Sequence, residues 1–315
     1  HADLVICLGT RLSQNLTGGV LNDFASNAQI VMVDADQGEM DKFEGHGLEI
    51  TERIQCLMED FLDTAKICVK EFKPPLIESW LMTIKRWRKD LPDDIPVEPA
   101  DEVDYVDAHH FVRQLSNVLA DNEIIFIDTG GNLTWTCNNL RVKSDQRVLS
   151  AWNFTPMGYA IPAAIGGAAA APGRPITCII GDGGLQLCLG ELATVVRHQL
   201  PLKIVLFNNH SHGIQKQTLE TWLDANYVGV DPSSGLGFSD FPNVAKAMGL
   251  PVISISKSSD IARKLKEAYA TPGPVFCNIE INPNQKLYPV LKAGASLDNQ
   301  MPLMNEGTLN TLRKL

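Results

Sequence analysis

The chain has 315 residues, 44% of them hydrophobic, and a formal net charge of −10. That length and apolar content supply core for two domains and exclude disordered and fibrous classes, and the acidic balance argues against nucleic acid or an anionic membrane as partner. Seven cysteines stand singly without zinc-like spacing and read as the reduced thiols of a cytoplasmic protein; no apolar run approaches the ~18 residues of a membrane span.

In chain order, His1-Ala2-Asp3 leads straight into a strand and reads as the start of an excised fragment. Leu4–Leu8 and Ile30–Val33 are short apolar runs separated by a turn and a helix-like segment, which predicts a small parallel sheet. Residues 51–90 read as helical, and the basic cluster Lys85–Lys89 within them is a solvated amphipathic face before it is a binding patch. The acidic, proline-bearing stretch Pro92–Asp104 marks an interdomain linker. Beyond it, Ala108–Ala120 has a helix pattern, and five apolar runs follow at Ile124–Asp128, Ile176–Ile180, Ile204–Phe207, Val252–Ile255 and Val275–Ile281. Their continuous apolar character fits strands covered on both faces, hence a doubly wound parallel α/β sheet. The expected division is a partial domain over 1–91, the linker over 92–104, a second domain over 105–285 and a carboxyl-terminal tail over 286–315.

In such a sheet ligands bind outside the carboxyl ends of the strands, where Asp128–Asn132, Gly181–Gly184 and Asn208–Gly213 all fall. Gly181-Asp182-Gly183 follows one strand and Asn208-Asn209 ends the next, so Asp182 and Asn209 are separated by one turn, one helix and one strand. That βαβ unit places an oxygen ligand at the end of each strand. Mg²⁺ takes octahedral oxygen coordination from one or two side chains plus phosphate, which Asp182, the Asn209 amide oxygen and a loop carbonyl could provide. Gly181, Gly183 and Gly184 would let backbone approach a diphosphate at the start of a helix expected over Leu185–His198. Taken alone, Gly-Asp-Gly and Gly130-Gly131-Asn132 are ordinary turn sequences, and His210-x-His212 could suggest a transition-metal site, although no third ligand follows at suitable spacing.

These motifs resemble the diphosphate-binding domain of thiamine-diphosphate enzymes, the acetolactate synthase and pyruvate oxidase superfamily. Ile127–Asn282 is similar to that domain, and Ala2–Gly18 with Ile30–Asp36 resembles the second half of the family's Rossmann-like middle domain. The resemblance implies a thiamine-diphosphate-binding fold preceded by part of a second α/β domain, without a segment matching the pyrimidine-binding domain. It implies Mg²⁺ ligation by Asp182, Asn209 and the Ser211 carbonyl, and diphosphate contacts from Gly131, Asn132, Gly181, Gly183, Gly184 and Gly213. Met157 becomes the residue that bends the cofactor, the Thr155 carbonyl the acceptor for its amino group, and Ile214 an apolar contact to its thiazolium ring; any single Met could equally fill a core gap.

The activity implied is decarboxylation of a small 2-oxo acid with acyl transfer to an acceptor carbonyl. Simple decarboxylation, oxidation and a non-catalytic diphosphate-binding module are the alternatives. A homodimer or tetramer is implied, in which a neighbouring subunit's pyrimidine-binding domain supplies an activating glutamate, so the chain by itself should bind the cofactor poorly and turn nothing over. Two departures stand out: Leu12-Ser13-Gln14-Asn15 after Gly9 and Arg11 argues against FAD, and Thr218 takes the place of an acceptor-pocket tryptophan. Tyr227–Leu236 and the tail with Met301-Pro302-Leu303-Met304 resemble acetolactate-synthase-like enzymes of polysaccharide or deoxysugar synthesis. Whether His210 and His212 face substrate or solvent stays open in the sequence.

Overall fold

The computed structural model describes residues 1–73, 75–90, 105–152, 154–291, 294–298, 300–301 and 306–313. The expected linker over 92–104 lies outside the described residues, as do Pro302, Leu303 and Met304. The chain forms two compact units, His1–Asp93 with Tyr288–Leu315, and Asp94–Leu287.

In the first unit, β1 (Leu4–Leu8), β2 (Gln29–Asp34) and β3 (Glu52–Gln55) form a parallel sheet in that order. Short helices α1 (Gln14–Thr17) and α2 (Gln37–Asp41) lie in the connections, and α3 (Met58–Cys68) and α4 (Glu78–Asp90) follow. Cys7, Ile30, Met32, Met40 and Phe43 are among its core residues. The reading of 51–90 as helical is corrected at its start. Glu52–Gln55 has no alternating apolar pattern, yet it pairs with Val31–Asp34, and that tertiary pairing outweighs weak strand propensity.

The second unit opens with α5 (Ala108–Val118), β4 (Ile124–Ile127), α6 (Gly131–Asn139), β5 (Arg147–Leu149), α7 (Ala160–Ala170) and β6 (Ile176–Gly181). It continues through α8 (Asp182–Cys188), α9 (Glu191–Arg197), β7 (Leu202–Asn208), α10 (Gly213–Trp222), α11 (Phe241–Ala247), β8 (Val252–Ile255), α12 (Ile261–Ala270) and β9 (Val275–Glu280). The six strands are parallel in the order β5-β4-β6-β7-β9-β8.

Strand alternation explains the continuous apolar runs. Ile125, Ile127, Ile179, Val205 and Phe207 pack into one core, while Ile124, Phe126, Cys178, Ile180, Ile204 and Leu206 pack into the other. The helix expected over Leu185–His198 is two helices: α8 already begins at Asp182, and the chain breaks at Leu189-Gly190 before α9. Glycine weakens a helix interior, and the break still leaves Leu185 and Leu192 buried in the same core. From β4 the chain runs outward to β5, then returns to β6 on the other side. This reversal makes the carboxyl ends of β4 and β6 a switch point, where open α/β sheets leave a crevice.

Candidate active site

The loops after β4, β6 and β7 surround a cavity of about 510 Å³ at this crevice. Gly131, Asn132, Thr155, Met157, Gly181, Asp182, Gly183, Gly184, Asn209, Ser211, Gly213 and Ile214 all line it. The residues that the resemblance assigns to the metal and the cofactor are thus brought to one cavity, whereas His210 and Thr218 are not among its lining residues. Thr129, Gly130 and His212, which fall in the motif loops, also line it, as do Trp135, Phe207 and Gln215, which had no sequence motif to reveal them.

Asp182 starts α8 and is 2% exposed. Its Oδ1 accepts from the Gly183 amide at 2.7 Å and its Oδ2 from the Ser211 amide at 3.3 Å. Burial pushes the carboxyl up to about 7, against amide donation from Gly183, Ser211 and His210. A buried carboxylate compensated by dipoles alone is costly, so a bound cation fits here. Asn209 commits its Nδ2 to Ser211 Oγ at 2.8 Å, which leaves Oδ1 as its uncommitted oxygen. Among the described residues no cluster of three or more His, Cys, Asp or Glu side chains is placed to hold a metal ion. An Asp, an Asn amide and a backbone carbonyl form the kind of oxygen set that suits Mg²⁺.

The glycines fit a closely approaching ligand. A methyl at Gly181 would stand 3.1 Å from Asn132 Oδ1, and one at Gly213 2.7 Å from Asn209 Nδ2. Asn132 is itself fixed, donating to the Asp128 carbonyl at 2.8 Å. Met157 is 38% exposed and Ile214 44% exposed; both are large apolar side chains in the cavity wall rather than core fillers. Thr155 has φ +41 and Gly158 φ +84, a tight turn that leads into α7.

Asp128 holds that turn. It is fully buried, and its Oδ1 accepts from Gly158 at 3.1 Å and Thr129 at 3.0 Å while Oδ2 accepts from Ala160 at 2.9 Å. Burial raises its carboxyl above the usual range, and the three amides oppose that shift. The two histidines divide. His210 turns to Glu280, Nε2 to Oε2 at 2.9 Å, and this bond raises its pKa. His212 lines the cavity, meets Phe238 edge-on, and has its pKa lowered by burial.

A parallel α/β sheet with a glycine-lined cavity and a buried carboxylate at its switch point defines a class of cofactor-binding domain. Residues 128–279 match the family described as thiamine pyrophosphate enzyme, C-terminal TPP binding domain. The chain is 31% identical over 296 residues to an acetolactate synthase large subunit of Pyropia yezoensis, covering 94% of this chain and 48% of that relative. Its identity to the large subunit of Cyanidium caldarium is 29% over 306 residues, covering 97% and 51%. To isozyme 1 of Escherichia coli (strain K12) it is 27% over 301 residues, covering 94% and 50%. The chain belongs to the thiamine-diphosphate enzyme superfamily and is acetolactate-synthase-like. It spans about half the length of the curated relatives it matches.

Proposed function

We propose that the protein to which this chain belongs decarboxylates a 2-oxo acid and transfers the acyl unit to an acceptor carbonyl, using thiamine diphosphate and Mg²⁺. The observation that carries this reading is the convergence of buried Asp182 with Asn209 and the glycine loops on one cavity at the switch point. When bound, the cofactor supplies an electron sink for decarboxylation.

The chain's own groups bind and orient. Asp182, Asn209 and the Ser211 carbonyl hold Mg²⁺, and Gly131, Asn132, Gly181, Gly183, Gly184 and Gly213 give the diphosphate its backbone contacts. Met157 and Ile214 present apolar walls to the ring portion, and the Thr155 carbonyl accepts a hydrogen bond from its amino group. Holding the reacting groups in place is worth many powers of ten in rate.

The relatives are named as large subunits, which supports a multi-subunit enzyme; the assembly we propose is a homodimer or tetramer in which a neighbouring subunit brings the pyrimidine-binding domain. Free cysteines, four of them buried, support a cytoplasmic location, and among the described residues no helix is long and apolar enough to cross a membrane. The test is product analysis of the complete protein with pyruvate, thiamine diphosphate and Mg²⁺. A carbon–carbon-coupled product supports acyl transfer; free aldehyde or acetate as sole product points to a decarboxylase or oxidase.

A further inference from the structure

The metal-side turn Asn209–Ser211 is built around a residue with an unusual backbone. His210 has φ +52, a left-handed conformation that a side chain disfavours and that is held only where surroundings enforce it. This conformation turns backbone amides toward one anion, and the Ser211 amide donates to Asp182 Oδ2 at 3.3 Å. Nothing in the cofactor reading explains what holds His210 there.

A ring of side chains behind the turn does. Asn208, at the end of β7, donates to Asn278 Oδ1 at 3.2 Å, and Asn278 Nδ2 donates to Glu280 Oε1 at 2.6 Å. Glu280 Oε2 then meets His210 Nε2 at 2.9 Å. The path leaves β7 at Asn208, crosses to β9, where Asn208 and Glu280 are register partners, and returns to the chain two residues later. Asn208 and Asn278 are 4% and 1% exposed, so the anchor is set in rigid, buried strand ends. Glu280 is 26% exposed at the side chain and His210 43%, so neither is needed to fill the core.

We propose that Glu280 is a positioning residue: by gripping the His210 ring it holds the left-handed turn that aims the Ser211 amide at Asp182 and thereby sets the metal-binding geometry. The proposal rests on the Mg²⁺ and thiamine-diphosphate reading above. Glu280 touches neither group, and acts through His210.

The test is a double-mutant cycle on the whole 315-residue chain, made of Glu280→Ala, His210→Gly and their combination, read by NMR because shift titration measures weak binding. Glycine adopts φ near +50° without a side-chain anchor, so His210→Gly removes the need for Glu280 while keeping the turn. In the cofactor-free chain, Glu280→Ala should speed exchange of the Ser211 amide about tenfold, whereas His210→Gly and the double variant should not differ from each other. Titrated with thiamine diphosphate and Mg²⁺, Glu280→Ala should bind about tenfold more weakly than the parent, a loss expected for support behind a metal ligand. In the His210→Gly background the same change should have no effect.

An equal loss in both backgrounds overturns the proposal, because it would show Glu280 acting by its charge or by general stability. Unchanged Ser211 exchange in Glu280→Ala overturns it as well. If the parent shows no Mg²⁺-dependent shifts, the cofactor reading fails and this positioning role falls with it; the exchange data then still report whether Glu280 grips the turn, which separates the two failures.

Discussion

Gly183 and Gly184 are adjacent, but a methyl would meet different surroundings at each. At Gly183 it would stand 2.7 Å from the His212 ring and 2.9 Å from the Met157 methyl, both ends of side chains that can swing into the cavity. At Gly184 it would stand 2.7 Å from Asp128 Oδ1, and that carboxylate is pinned by three backbone amides. Gly184→Ala should therefore cost about 1–3 kcal/mol of stability, as overpacking does, and Gly183→Ala well under that; thermal denaturation of both variants checks the order. For Asp182 the sign of the pH effect is set by its raised carboxyl, about 7 against an ordinary 3.8. Without a metal, the native state keeps a proton that the unfolded chain has released, so stability falls as pH rises between about 4 and about 7, at most about 1.4 kcal/mol per unit. Denaturant titrations in EDTA should show that decline and Asp182→Asn should remove it, while Mg²⁺ affinity should rise with pH through the same window. Met157 reaches into the cavity rather than the core, so Met157→Ala should leave stability and cofactor binding nearly intact and slow exchange of the cofactor's C2 proton in the complete protein. Equal exchange rates would return Met157 to a packing role.

At the scale of elements, the turn between Thr155 and Gly158 depends on Asp128 at the end of β4. Asp128→Asn keeps one acceptor oxygen where two serve three amides, and leaving buried amides unpaired costs about 1–3 kcal/mol. The variant should lower the unfolding midpoint and loosen Met157, seen in the complete protein as slower exchange of the cofactor's C2 proton alongside reduced stability. The elements around this turn were the ones most legible in the sequence, because β4, β6, β7 and β9 are buried on both faces and carry uninterrupted apolar runs. β3 and β5 were not legible: Glu-Arg-Ile-Gln and Arg-Val-Leu become strands through pairing with β2 and β4. The motif loops announced Asp182 and Asn209, since glycine and asparagine after apolar runs leave a local signature. Asp128 heads one of these loops, but its hold on the Thr155–Gly158 turn left no local signature, and Glu280 left none at all. Asp128 acts on amides 30 and 32 residues away and Glu280 on a ring 70 residues away, contacts that only the folded sheet creates.

At the scale of the whole molecule, the two units have separate cores, and the site groups all belong to the second. A ligand that binds one folded unit raises the stability of that unit alone. Calorimetry should therefore resolve unfolding that is not two-state, with thiamine diphosphate and Mg²⁺ raising the transition of the second unit and leaving the other in place. Outward-facing Leu4, Ile6 and Leu8 on β1 are exposed, an unusual condition for a parallel strand.

If this cavity holds thiamine diphosphate, it does so through a metal bound at Asp182. The most direct measurement is calorimetric titration of thiamine diphosphate into the chain with Mg²⁺, repeated in EDTA and with Asp182→Ala. Binding should be weak but measurable and should disappear both in EDTA and in the variant. Binding that survives the removal of either the metal or the carboxylate, or no binding at millimolar cofactor, would contradict a cofactor held through that metal.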